Sequence, residues 1–219
     1  MSHCREEHSH DGRDPGHSHG HDHDHDHDGP DRGAEYSLWQ QVDIDNVTCL
    51  NEREEGSAKL VFKAWEERVD VSKFVESDAD EQLIINIPFT ANIKLKSIAV
   101  VGAGESAPSK MKAFTNRDDI DFDTAESTVA TQEWELVAEV PRGEIAEYPT
   151  RLTKFQNIRN LTLYFPENFG ADATKITYIG LKGEWTEIKR DPIITVYELA
   201  ANPADHKTEA DELIGHMIQ

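Results

Sequence analysis

Histidine is the residue type in this chain best suited to chemistry, and it is unevenly placed. Nine of the eleven histidines fall in residues 1–33 and the other two are His206 and His216, so residues 34–200 contain no imidazole. The run His21-Asp-His-Asp-His-Asp-His-Asp28, with His19 just before it, spaces imidazoles two apart. Neutral imidazole binds Zn²⁺, Ni²⁺ and Cu²⁺ well. His19, His21, His23, His25 and His27 are therefore candidate metal ligands. Nothing around them would preorganise a coordination sphere, so the expected binding is adventitious, and a pH-sensitive solubilising tail is the plainer reading. The gap in the middle of the chain excludes more. Ser-His-Asp and Cys-His nucleophilic centres need an imidazole, and catalytic zinc commonly uses one. Only lysine bases and carboxylate pairs remain for acid–base work. The expectation is a non-enzymatic domain with no cofactor.

Asp118, Asp119, Asp121 and Asp123 crowd one short stretch. A close carboxylate pair could hydrolyse a glycoside and a cluster could hold Ca²⁺. The spacing is not that of an EF-hand: with Asp119 as position one, Thr124 stands at six and Ala130 at twelve. A solvated acidic loop is the expected outcome. Gly102-Ala-Gly104-Glu-Ser-Ala107 matches a relaxed dinucleotide fingerprint behind an apolar strand. A helix must open there to face the pyrophosphate, and Pro108 follows at once, so a β-turn is expected. Cys49 has no second cysteine two residues away and reads as a small buried hydrophobe. Cys4 lies in the tail, so two reduced thiols and a reducing compartment are expected. Trp39, Trp65, Trp134 and Trp185 read as core anchors, with one or two available to line a peptide groove. Near the end, Leu213, Ile214, Met217 and Ile218 surround His216. Leu213, Ile214, His216 and Ile218 could dock in a partner groove, and fraying is the alternative.

The formal net charge is −21. Such a field disfavours nucleic acid and anionic membrane, and favours a basic partner or simple solubility. No apolar run approaches the roughly 20 residues of a membrane-spanning helix, and no secretory signal opens the chain. Cytosol, with the nucleus also open, and a monomeric state are expected.

The elements that would position these groups follow a period of two. Leu83, Ile85, Ile87 and Phe89 alternate, with Pro88 near the strand end. Further runs are Ile93–Val101 (apolar on both faces), Leu161–Phe165, Thr177–Leu181 and Ile193–Leu199, with shorter candidates at Lys110–Phe114 and Trp134–Val137. Helical turns fit Ala58–Lys63 and Asp123–Ser127. Many short strands without helical crossovers predict an all-β antiparallel sandwich. Residues 1–33 read as a disordered tail, 34–200 as the domain, and 201–219 as a polar tail.

Several motifs in order carry a resemblance: Leu50-Asn-Glu52, Glu76-Ser-Asp-Ala-Asp-Glu-Gln-Leu83, Ile87-Pro-Phe89, Leu95-Lys-Ser-Ile98, Phe114-Thr-Asn-Arg-Asp-Asp-Ile-Asp-Phe122, Asn157-Ile-Arg-Asn-Leu161 and Leu181-Lys-Gly183. Over roughly Ser37–Ala200 the chain resembles the PITH domain family, the proteasome-interacting module associated with thioredoxin-like proteins. The resemblance implies a galactose-binding-like jelly-roll sandwich and association with the proteasome's regulatory particle. The thioredoxin-like relatives carry a Cys-x-x-Cys domain ahead of this module. The His/Asp tail stands there instead, so redox activity is not expected. A small-ligand or glycan-binding sandwich, or a metal-handling protein acting through its tail, are the competing readings.

Overall fold

In the computed structural model, which describes residues 36–138 and 144–188, the alternation from Leu83 to Phe89 is one end of a single 20-residue strand, β3 (Leu83–Gly102). The sequence suggested two strands, with Pro88 near an end. Pro88 is instead interior. It is tolerated because pairing with the neighbouring strand shifts register between Pro88 and Ile93, where the missing N–H costs no regular ladder bond. Its carbonyl still accepts the Asp43 N–H at 2.9 Å.

Strand β3 joins two groups of strands. Its first half lies between β1 (Thr48–Leu50) and β7 (Ile158–Phe165), with Ile85 opposite both Cys49 and Leu163. Its second half lies between β6 (Glu147–Pro149) and β8 (Lys175–Thr186), with Ile98 opposite Tyr148 and Leu181. Beyond β7 come β4 (Lys110–Thr115) and β5 (Gln132–Glu135), and β2 (Val75–Glu76) pairs with β8. Every pairing is antiparallel. Leu83, Ile85, Leu163, Phe165 and Met111 from the first group share one buried cluster with Ile98, Val100, Ile179 and Leu181 from the second. This is the antiparallel sandwich that the period-two pattern predicts. Truncating such a core side chain to alanine costs about 2–5 kcal/mol.

A bulge explains why Ile93–Val101 looks apolar on both faces. Register shifts between Leu95 and Ser97, so the core-facing residues change from odd (Ile93, Leu95) to even (Ile98, Val100). Gly183 sits against this bulge. A Cβ there would lie 2.2 Å from the Lys94 carbonyl oxygen, so only glycine fits.

Both helical turns form. Residues Ser57–Val61 make a 3₁₀ turn, and α1 (Phe122–Ser127) is the α-helix among the described residues. The segment carrying α1 folds over the outer face of β3 and β7. There Ile120, Ala125 and Ala130 bury Ile84, Phe114 and Tyr164 in a second, smaller cluster. No helix among the described residues is long and apolar enough to cross a membrane. The run Ile193–Leu199 lies outside the described residues, as does each terminal tail.

Candidate binding surface

His19, His21, His23, His25 and His27 lie outside the described residues, and so do Leu213, Ile214, His216 and Ile218. The other groups singled out by sequence are placed. Asp119 accepts from Arg117 Nε at 2.8 Å and from Nη2 at 2.5 Å, and this pairing holds its carboxyl below the usual range. Asp121 Oδ1 accepts the Thr124 N–H at 2.8 Å and caps α1, which lowers its pKa as well. Two of the four acids thus have separate structural duties, and among the described residues the four do not make a metal-holding cluster. Gly102 ends β3, and a 3₁₀ turn at Gly104–Ser106 follows, with Gly104 at φ 56°. No helix opens there, so the dinucleotide fingerprint is a turn. Cys49 is half-buried against the core. Burial pushes its thiol well up, and the Glu52 charge pushes it further, the reverse of what a reactive cysteine requires.

The tryptophans divide into two pairs. Trp134 Nε1 donates to the Pro149 carbonyl at 3.0 Å, and its ring packs 6.0 Å from Phe155. Trp65 meets Tyr178 edge-on at 6.4 Å, with the Arg68 guanidinium 4.4 Å and the Lys182 ammonium 4.7 Å from its ring. Trp134 is packed against the core, as expected, whereas Trp65 is half-buried between Tyr178 and two cations. Trp39 and Trp185 are not anchors: they are 37% and 48% exposed. Trp185 has the parity of the core residues Ile179 and Leu181, but it pairs with Ile93 where β8 is about to end at Thr186. Its partner Ile93 is still in the core, and Trp185, one residue from the end of β8, is covered on one side only.

Trp185 lines a cavity of about 150 Å³ with Asn92, Lys94, Gln156, Asn157 and Glu184. Asn157 holds a left-handed backbone at φ 54°. The Glu184 carboxylate is paired with Lys96 Nζ at 2.8 Å and Lys94 Nζ at 3.2 Å, and these bonds hold its pKa down. The arrangement sets a half-exposed indole beside three primary amides and an ion cluster of one carboxylate and two ammonium groups. It can stack on a flat or apolar group while hydrogen-bonding its edge, as binding of a peptide or a sugar requires. It offers no acid–base pair.

The motif residues play roles that sequence did not assign. Asn51, at φ 68°, ties β1 to the segment before β3. Its Nδ2 donates to Asp80 Oδ1 at 2.8 Å and to Gln82 O at 2.7 Å, and its Oδ1 accepts the Ala79 N–H at 3.0 Å. Glu52 next to it accepts from the Gly56 and Ala58 N–H groups at 2.7 and 2.9 Å, capping the Ser57–Val61 turn from outside. Asn116, at φ 55°, links two further motifs: Nδ2 donates to Asn157 O at 3.1 Å and Oδ1 accepts the Arg159 N–H at 2.8 Å. Asparagine in a motif next to glycine-free turns was the available signal, because asparagine tolerates positive φ.

Residues 28–201 match the model of the PITH domain. PITH domain-containing protein GA19395 of Drosophila pseudoobscura pseudoobscura is 50% identical over 214 residues, covering 97% of this chain and 98% of that protein. PITH domain-containing protein 1 of Homo sapiens is 48% identical over 178 residues, covering 80% of this chain and 83% of that protein. Among solved structures, CBM32-3 from a family 31 glycoside hydrolase of Clostridium perfringens aligns with a TM-score of 0.48 at 13% identity, covering 69% of this chain and 97% of that one. The galactose-binding-like jelly-roll class is the one that the resemblance implies, and a likeness at this identity concerns fold alone. With a family model spanning most of the sandwich and relatives at about half identity along nearly the whole length, the chain belongs to the PITH domain family.

Proposed function

We propose that this chain is a non-enzymatic binding or adaptor module of the cytosol or nucleus that associates, as a monomer, with the regulatory particle of the proteasome. Family membership supports the reading, because the resemblance to the PITH module implies association with the proteasome. The surface is consistent with it. Asp119 and Asp121 are committed to structural bonds and the Cys49 thiol is held protonated. The Trp185 cavity, at about 150 Å³, is smaller than the roughly 300–1,000 Å³ of small-molecule sites. Contact across a surface suits such a molecule better than enclosure of a substrate. Affinity capture of the full chain from cytosol, with quantitative mass spectrometry, tests this. Regulatory-particle subunits enriched over a tag-only control support it, and their absence removes it.

The Trp185 face with its amides also favours a second reading, a small-ligand or glycan-binding sandwich. Titration with mono- and disaccharides while following tryptophan fluorescence addresses it. A flat response at millimolar sugar eliminates that alternative.

A further inference from the structure

Asp118 and Asp123 make no side-chain hydrogen bond or ion pair among the described residues, and of the two Asp118 faces a cavity. Asp119 is bonded to Arg117 and Asp121 to the start of α1. Asp118 has no hydrogen-bond or ion-pair partner among the described residues, and it lines a second cavity of about 150 Å³. This cavity lies on the outer face of the first strand group, where Thr48 and Leu50 of β1 stand opposite Asn86 and Ile84 of β3. Its lining grades from apolar to polar. Ile84, Ile120 and Leu50 contribute hydrocarbon, with Ile84 and Ile120 buried and Leu50 exposed. Thr162, 2% exposed, places its one hydroxyl proton between two acceptors, Asn86 Oδ1 at 3.2 Å and the Arg117 carbonyl at 3.4 Å. Asn86 Oδ1 keeps a second lone pair, and Asp118 supplies a carboxylate.

Hydrocarbon walls beside a lone carboxylate suit a side chain that is apolar along its stem and cationic at its tip. The cavity, about 150 Å³, has room for one slender side chain. The nearest cation in sequence, Arg117, is engaged by Asp119. The whole chain carries −21, so a basic partner is drawn toward it.

We infer that this cavity is a socket for a lysine side chain presented by a partner protein, with Asp118 as its counter-ion. The inference rests on the reading of the chain as a binding module and names the chemistry of one of its contacts.

The probe is Nα-acetyl-lysine N-methylamide, titrated into the full-length ¹⁵N-labelled protein. The amides of Asn86, Asp118 and Ile120 shift and saturate in the millimolar range, the norleucine analogue shifts them about two- to fivefold more weakly, and Asp118→Asn weakens the lysine probe by about two- to fivefold. The Asp118→Asn spectrum retains wild-type dispersion, because no intramolecular bond is removed. Equal response to lysine and norleucine, no saturable shift at these amides, or undiminished binding by Asp118→Asn overturns the socket. So does Ca²⁺ saturating the same amides while the lysine probe is silent, which would make it a cation site. Capture from cytosol separates this failure from failure of the parent reading. Wild type and Asp118→Asn recovering the same partner equally would refute the socket and leave the module intact.

Discussion

Replacing Asn51 tests whether the family motifs are structural ties. Asn51→Ala removes three side-chain hydrogen bonds, to Asp80, Gln82 and Ala79, each worth about 0.5–1.5 kcal/mol net. It also places alanine at φ 68°, which costs about 1–2 kcal/mol. The sum is about 2.5–6.5 kcal/mol. A domain of this size loses about 2–4 °C of Tm per kcal/mol, so Asn51→Ala melts roughly 5–26 °C below wild type. Asn51→Gly loses the same bonds but not the backbone strain, while its looser unfolded chain costs about 0.5–1 kcal/mol. It should therefore be more stable than Asn51→Ala by about 0.5–1 kcal/mol. Urea unfolding monitored by tryptophan fluorescence, alongside differential scanning calorimetry, reads both variants. Asn51→Ala melting within 2 °C of wild type, or Asn51→Gly proving less stable than Asn51→Ala, would refute the reasoning.

Gly183→Ala drives a Cβ to 2.2 Å from the Lys94 carbonyl and should cost about 3 kcal/mol or more by forcing β8 off β3; calorimetry showing an unchanged Tm would count against the close approach. Glu184 is held ionised by Lys96 and Lys94, so its folded pKa lies below its unfolded value. Its stabilisation is present above the unfolded value of about 4.3 and is lost as pH falls through the folded one. The Tm gap between wild type and Glu184→Gln should accordingly close on acidification from pH 7 to 3, and a widening gap would contradict the pairing. In a Cys4→Ser background, native Cys49 should react with iodoacetamide at pH 8 at least about tenfold more slowly than in urea, because burial suppresses its thiolate; equal rates would show an accessible thiol.

The strands were legible because alternation marks a face. Leu161–Phe165 and Lys110–Phe114 fall within β7 and β4. Pro88 and the bulge at Leu95–Ser97 were not legible as parts of one strand: a local pattern records which side a residue faces, not that a chain runs through an irregularity. The exposure of Trp185 was hidden for a related reason. Its parity is inward and its partner Ile93 is buried, and only its place one residue from the end of β8 leaves the ring half-exposed. Asp118 looked like its neighbours in sequence, since composition cannot tell a bonded carboxylate from an unbonded one. The motifs were visible as motifs, whereas their work became clear only once Asn51 and Asn116 were seen crossing 28 to 43 residues of chain to reach their partners.

Capture of the tagged full chain from cytosol, followed by cross-linking mass spectrometry, tests the central claim most directly. The account predicts enrichment of proteasome regulatory-particle subunits, with cross-links from sandwich lysines such as Lys94 and Lys112 to those subunits. Recovery of no such subunit above the tag-only control, from extracts in which the proteasome is intact, would contradict it.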